Sequence, residues 1–264
     1  MRLPVSNIVD LFQPSPSAHP GPELPELLPL GPDGIVVRFG RVVSPQLSAA
    51  VLAFEQAVQE NLPDGVTEVA PSLSSVLVRF DPARGRRDQV LTALRKLLGG
   101  VDWLAETLPP ASRIWHVPVC FGADQAPDLK TFCQLAGLSS EQAIAQITQT
   151  PLRVLAIGFA PGQPYLGYLP PAWDIPRRAA LTPQVPAGAL VAALRQLVLF
   201  NHASPTGWFQ IGETAFRPFQ RDRTVPFALK SGDSVQFHAI GSAEYSALKN
   251  RSDGLGGARY EAGA

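Results

Sequence analysis

Residues 152–188 read LRVLAIGFAPGQPYLGYLPPAWDIPRRAALTPQVPAG, and this stretch decides how the chain is divided. Its first eight residues, LRVLAIGF, form an apolar run with the length and composition of a strand. The residues after that run have neither helical nor strand period. Gly and Pro punctuate them, aromatic side chains interleave, and they carry the pair Arg177-Arg178. Glycine lets backbone N–H groups come close to a ligand, proline stiffens the loop, and arginine offers a planar fork for a carboxylate or phosphate. Two readings stay open on composition. One is a structural crossover between strands, with both arginines solvated. The other is a stiff loop that holds a small anion, since long ordered loops are often functional.

Working outward, the downstream segments ALVAAL, QLVLF, GWFQIG, FRPF and SVQFHAI are short strand candidates separated by turn signals. Closely spaced short strands without long helices point to a barrel or sandwich. Upstream, IWHVPVCF (114–121) reads as a strand. APDLKTFCQLAGLSSEQAIAQITQT then holds two short helices, and Ser139 with Gln142 three residues on makes a capping box for the second. LPPASR (108–113) marks a boundary. Before it, residues 30–108 spell β-α-β-β-α, extensible by one strand, a compact unit resembling a split βαβ arrangement. Its first helix has Ser44 to cap it, Pro45 at its first position, and Leu47, Val51, Phe54 and Val58 at helical spacing. The expected organisation is a flexible lead-in (1–28), an N-terminal α+β domain (29–110), a β-barrel domain (111–245) and a flexible tail (246–264).

Composition narrows the function classes. The 264 residues include 22 acidic and 22 basic side chains, a balance that argues against a nucleic-acid or membrane-surface protein. The Pro-broken N-terminus does not read as a signal peptide. No apolar run approaches the roughly 20 residues that span a bilayer, so a cytoplasmic location is expected. The two cysteines, Cys120 and Cys133, make neither a metal cluster nor a disulfide framework. Four scattered histidines show no ligand spacing, and no metal site is expected. There is no P-loop, H-E-x-x-H or G-x-S-x-G motif. The 27 prolines, about 10% of the chain against a usual ~5%, oppose an all-helical fold.

Several spaced pieces resemble one family in the right order: GFAPGQPYL, PRRAALTPQVPAG, SPTGW with IG after it, and SGDSVQF. Earlier pieces agree: PLGPDGIVVRFG, GVTEVAPSLSSVLVRFDP and VPVCFGADQAPDL. Together they look like the family of the 5-oxoprolinase B subunit, which includes the Kip-type histidine-kinase inhibitors. It is also called allophanate hydrolase subunit 1, or carboxyltransferase subdomains C and D. The resemblance spans about residues 28–240. It implies an α+β fold: a small N-terminal domain of ferredoxin-like type followed by a cyclophilin-like β-barrel, with the 158–188 stretch at the lip of a barrel pocket. It implies a B-type subunit that works with C-type and A-type subunits to hydrolyse 5-oxoproline with ATP and Mg²⁺. A Kip-type inhibitor, or a divergent carboxyltransferase or allophanate-hydrolase-like subunit, is the alternative.

Carried over by motif, the candidate ligand-binding residues are Gly158, Phe159, Pro161, Gly162, Tyr165, Arg177, Gln196, Ser204, Gly207 and Trp208. Leu166, Pro176, Val185, Pro186, Gly188 and Pro205 match the same motifs. The resemblance places Arg177 and Gln196 facing one ligand, with Tyr165 and Trp208 as its wall or as packing beneath it. No catalytic residue is assigned. The chain departs from the family pattern at Gln163, where an aromatic is usual, and at Gln184, where an arginine is usual. Leu194, Arg195, Leu197 and Val198 stand around Gln196 in place of a Gly-Gly-Gln-Thr-Gly segment. Thr206 replaces a glycine, and Ile147 and Leu152 stand where the family usually has His and Tyr. Lost glycines remove backbone contacts, and lost Arg and His remove charge and acid-base capacity.

Overall fold

The β-α-β-β-α unit is present, and its additional strand lies at the front. In the computed structural model, which describes residues 25–263, β1 (Glu26–Leu30) and β2 (Gly34–Arg38) form a hairpin. After them come α1 (Pro45–Glu60), β3 (Val66–Pro71), β4 (Ser75–Phe80) and α2 (Arg87–Leu98). The sheet order is β1-β2-β4-β3, and every pair is antiparallel. β4 therefore inserts between the two strands that α1 connects, the split βαβ arrangement. β1 takes the outer place beside β2. Residues 26–28, expected in a flexible lead-in, belong to this strand because their backbone pairs with β2. Residues 1–24 lie outside the described residues.

Local chemistry sets the helix starts. The Ser44 side chain accepts from the Leu47 N–H at 3.2 Å, and Pro45 fills the first turn. One core results: Ile35, Val37, Val76 and Val78 of the sheet meet Val51, Phe54 and Val58 of α1 and Val90 and Leu94 of α2.

The rest of the chain builds a second core. Its elements are β5 (Arg113–Cys120), α3 (Leu129–Ala136), α4 (Ser140–Gln149), β6 (Leu152–Ile157), β7 (Pro164–Gly167), β8 (Thr182–Val185), β9 (Ala189–Ala193) and β10 (Gln196–Leu199). They continue with β11 (Ser204–Thr206), β12 (Phe209–Glu213), β13 (Ser234–Ile240), α5 (Ser242–Lys249) and β14 (Arg259–Ala262). Seven strands run β12-β9-β10-β7-β6-β13-β5, and β12 pairs with β5 through Glu213 and Cys120 to close the barrel. Ser139 and Gln142 make the expected capping box at the start of α4.

Two strand-level expectations need correction. FRPF (216–219) is not a strand; only Phe219 forms a bridge, to Phe227, and Pro218 has no N–H to donate to a ladder. Residues 246–263, expected in a flexible tail, pack as part of the barrel unit. α5 continues to Lys249, and β14 pairs with the edge of β5, where Tyr260 packs on Trp115 at 4.9 Å between ring centroids. The Gly-rich run between them (Gly254, Gly256, Gly257) adopts positive φ and turns the chain back onto the barrel.

The barrel interior is filled. Along β9 and β10 the side chains alternate, as strand geometry requires. Leu190, Ala192, Leu197 and Leu199 join Leu166 of β7 in the inner core with α3 and α4. Ala189, Val191 and Val198 join Val185, Phe200, Tyr165 and Trp208 in a separate cluster on the other face. The barrel wall is thus apolar on both sides here, and the outer side is covered by the 158–188 stretch.

Candidate functional site

The 158–188 stretch is folded over the outer wall by a small ribbon. β8 pairs with β11, and the Arg178 N–H donates to the Gly207 carbonyl at 2.7 Å. These contacts bring residues 177–185 against 204–208, although 158–188 and SPTGW are separate in sequence. Between them lies a pocket of about 190 Å³ lined by Phe159, Gln163, Tyr165, Arg177, Leu181, Val198, Phe200 and Pro205 through Trp208. It sits on the outside of the barrel, not at the mouth of an interior cavity. The expectation of a barrel-lip pocket is corrected because large side chains occupy the interior.

The paired arginines separate in role. Arg178 forms an ion pair with Asp128, lies over the Phe209 ring at 4.4 Å, and reaches the Thr182 hydroxyl at 3.4 Å. It is a structural clamp. Arg177 is exposed, lines the pocket, and has no ion pair or side-chain hydrogen bond among the described residues. Its guanidinium is available to an anion. Burial pushes the Tyr165 phenol up from its usual range, and the Gln163 side chain and the Arg177 charge partly offset this. Tyr165 therefore stays a neutral hydroxyl donor at physiological pH. It meets Trp208 edge to face at 6.2 Å, and together they form the apolar floor.

Gln163 supplies a polar feature that the motifs present only as a departure. It is 1% exposed, and its Oε1 has no hydrogen-bond partner. A buried unsatisfied acceptor costs about 1–3 kcal/mol, so a ligand N–H that reached it would recover that cost. In sequence Gln163 stands between Gly162 and Pro164 in a stretch with no period, so nothing there says which way it faces. Val198, Phe200, Leu181 and Thr206 are further lining residues that sequence reasoning misses. The Thr206 hydroxyl is engaged locally, accepting from the Trp208 N–H at 3.1 Å.

Of the motif-derived candidates, Phe159, Tyr165, Arg177, Gly207 and Trp208 line this pocket, and so does Pro205. Gly158 and Phe159 border a neighbouring hollow with Pro71, Ser72 and Leu73. Phe159 stands between the two hollows, 76% exposed and held at φ 70°. Gly162 is structural: a Cβ there would lie 2.6 Å from Cβ of Phe219, and its φ is 70°. Gly188 is structural too, its missing Cβ standing 2.2 Å from the Thr214 carbonyl oxygen. Leu166 is an inner-core residue and Val185 an outer-cluster residue. Pro161, Pro176, Pro186 and Ser204 do not line the pocket.

Gln196 is not at this pocket. It lines a different hollow, with Ser44, Tyr168, Asp174 and Arg195. The expectation that Arg177 and Gln196 face one ligand is therefore corrected. Gln196 opens β10 opposite Gly167, whereas Val198, which borders the Arg177 pocket, stands opposite Tyr165. The departures beside Gln196 have a local explanation. Leu194 and Arg195 form the two-residue β9–β10 turn with φ of 52° and 63°, a conformation that favours Gly or Asn. Ile147 and Leu152 are buried in the inner core, where the acid-base groups of the family pattern are absent.

No helix among the described residues is long and apolar enough to cross a membrane. Nor do the described residues contain a group of three or more His, Cys, Asp or Glu placed to hold a metal.

Fold and site together define an α+β unit with a four-strand sheet, a closed seven-strand barrel and a small pocket on the barrel wall, apolar but for Gln163, Arg177 and Thr206. The chain belongs to the family described as carboxyltransferase domain, subdomain C and D, which matches residues 25–229. It is similar to the B subunit of 5-oxoprolinase from Bacillus subtilis, 29% identical over 231 residues that cover 85% of this chain and 96% of that protein. It is also similar to the B subunit of 5-oxoprolinase from Escherichia coli O157:H7, 34% identical over 65% of this chain and 77% of that protein. Among solved structures, TTHA0988 shares the fold with a TM-score of 0.65 and 29% identity over 79% of this chain. The match covers 40% of the TTHA0988 chain, so this unit spans about two-fifths of that longer protein.

Proposed function

We propose that this chain is the B-type subunit of an ATP-dependent 5-oxoprolinase, acting with C-type and A-type subunits. The observation that carries the reading is its similarity to proteins named as the B subunit of 5-oxoprolinase, which in one case extends over 96% of the relative. The reaction consumes 5-oxoproline, ATP and water and yields glutamate, ADP and phosphate. A lactam carbonyl is a poor electrophile. Transfer of the γ-phosphoryl group to its oxygen releases ADP and leaves a good leaving group. A first water adds at the ring carbon, the ring C–N bond breaks and the nitrogen takes up a proton, which leaves an acyl phosphate; a second water attacks its carbonyl carbon and phosphate departs.

In this reading Arg177 holds a phosphate group of the nucleotide, and Gly207 allows close backbone approach. Tyr165 and Trp208 exclude water from one side. The chain's own acidic residues do not cluster for a metal among the described residues, so Mg²⁺ enters as the companion of the nucleotide phosphates. Co-expression with neighbouring C-type and A-type subunits tests the proposal. Copurification and glutamate release that depends on both ATP and 5-oxoproline are expected. Absence of both sinks it.

A further inference from the structure

The hollow at Gln196 has the chemistry of a second binding site, and it lies on the seam between the two sheets. Its volume is about 430 Å³. Val43, Ser44 and Leu73 line it from the N-terminal unit, and Tyr168, Asp174, Arg195 and Gln196 line it from the barrel. The seam is itself held by hydrogen bonds: the Ser48 hydroxyl meets the Tyr168 hydroxyl at 3.1 Å and donates to the Leu73 carbonyl at 3.1 Å. The walls are thereby fixed relative to one another.

Three polar groups on these walls have complementary needs. Gln196 is 5% exposed, and its Nε2 has no hydrogen-bond partner. It lacks an acceptor, and burying an amide donor unpaired is unfavourable. Arg195 spends its Nε on the Leu169 carbonyl at 2.9 Å and rests over the Tyr168 ring at 5.8 Å. That fixes the guanidinium while its terminal nitrogens make no hydrogen bond among the described residues. Asp174 brings a carboxylate with no ion-pair partner among the described residues. The positive φ of Leu194 and Arg195 turns the chain here so that Arg195 and Gln196 reach the same hollow.

We infer that the seam hollow binds a small cyclic amide acid. Its carboxylate pairs with Arg195, its ring carbonyl accepts from Gln196 Nε2, and its ring N–H donates to Asp174. The choice of a cyclic amide rests on the proposed function, but the site does not: it follows from the unpartnered groups. Gln196 and Val198 share one face of β10, roughly 7 Å apart by strand rise. The seam hollow and the Arg177 pocket are therefore neighbours on the outer wall and separately addressable.

Isothermal titration of the full chain with 5-oxoproline and with L-proline tests the inference. L-proline keeps the carboxylate and ring nitrogen but lacks the ring carbonyl. The expected result is saturable binding of 5-oxoproline, at least tenfold tighter than L-proline. Gln196→Leu removes that preference without lowering the melting temperature. Asp174→Asn, at an exposed position, weakens 5-oxoproline at least fivefold, and Arg177→Ala leaves its affinity unchanged. Absence of binding at millimolar 5-oxoproline overturns the inference. So does equal affinity for both probes, or loss of binding on Arg177→Ala with none on Gln196→Leu. Binding is read on this chain alone and turnover on the assembled subunits, so either reading can fail without the other.

Discussion

The neighbouring arginines give the most discriminating prediction. Arg178→Ala removes the ion pair with Asp128 and the stacking on Phe209. The two side chains of the pair are 27% and 19% exposed, so the pair is only partly screened. A charge-assisted hydrogen bond contributes about 1.5–3 kcal/mol, and a partly desolvated cation–π contact about 1–2 kcal/mol. Asp128 keeps one partner after the change, because Oδ2 accepts from the Gln210 N–H at 2.9 Å. The expected loss is therefore about 3 kcal/mol, a fall in Tm of about 6–12 °C for a chain of this size. Arg177→Ala removes an exposed side chain that has no partner among the described residues, and such changes usually stay within about 0.5 kcal/mol. It should weaken pyrophosphate or ATP binding at least tenfold, about 1.4 kcal/mol. Thermal unfolding and calorimetric titration of the two variants side by side provide the assay. The reasoning is refuted if Arg177→Ala lowers Tm while Arg178→Ala does not, or if both leave anion binding intact.

Three further outcomes are expected. Leu194→Asn relieves a left-handed residue in the β9–β10 turn and should stabilise the fold by about 1 kcal/mol, read as a rise in Tm; a fall would show that the exposed Leu194 side chain packs usefully. Arg113→Ala leaves the wholly buried Asp233 carboxylate, among the described residues, with the Lys230 N–H at 2.9 Å as its one remaining hydrogen-bond partner, and should cost about 3–5 kcal/mol in denaturant titration; a loss under about 1 kcal/mol would contradict this. His238 has its pKa held below 6.5, by burial first and then by the charges of His116 and Arg259. Its folded form therefore binds a proton less readily than the unfolded chain, so this contribution is present above pH 6.5 and is lost as pH falls below that value. Tm should decline from about pH 7 to about pH 5.5 and His238→Gln should flatten that decline, whereas an unchanged slope in the variant assigns it to other groups.

Much of the architecture is legible locally because it depends on neighbours in sequence. Ser44 with Pro45, and Ser139 with Gln142, fix helix starts through contacts within one turn. The short apolar runs of β2, β4 and β5 announce themselves by length and β-branched composition. Strand β14 escapes a sequence reading because Arg259–Ala262 is short, polar and exposed, and it is a strand only by virtue of the β5 edge beside it. The β8–β11 ribbon escapes for the same reason: three- and four-residue strands carry no period of their own.

The sequence alone left the 158–188 stretch open between a crossover and an anion-holding loop on composition, and its motifs carried the family resemblance. It also determined the α+β class, because periods of 3.6 and 2 are local properties of the chain. Which side of the barrel the stretch covers was decided only by tertiary structure. Ala189 to Ala193 and Gln196 to Leu199 are buried on both faces, so no hydrophobic alternation distinguishes inside from outside. Tertiary pairing also decided that Arg178 is consumed by Asp128 while Arg177 remains available, and that Gln196 opens onto a different hollow from Arg177. Both outcomes depend on partners distant in sequence, whose approach is set by strand closure and not by local propensity.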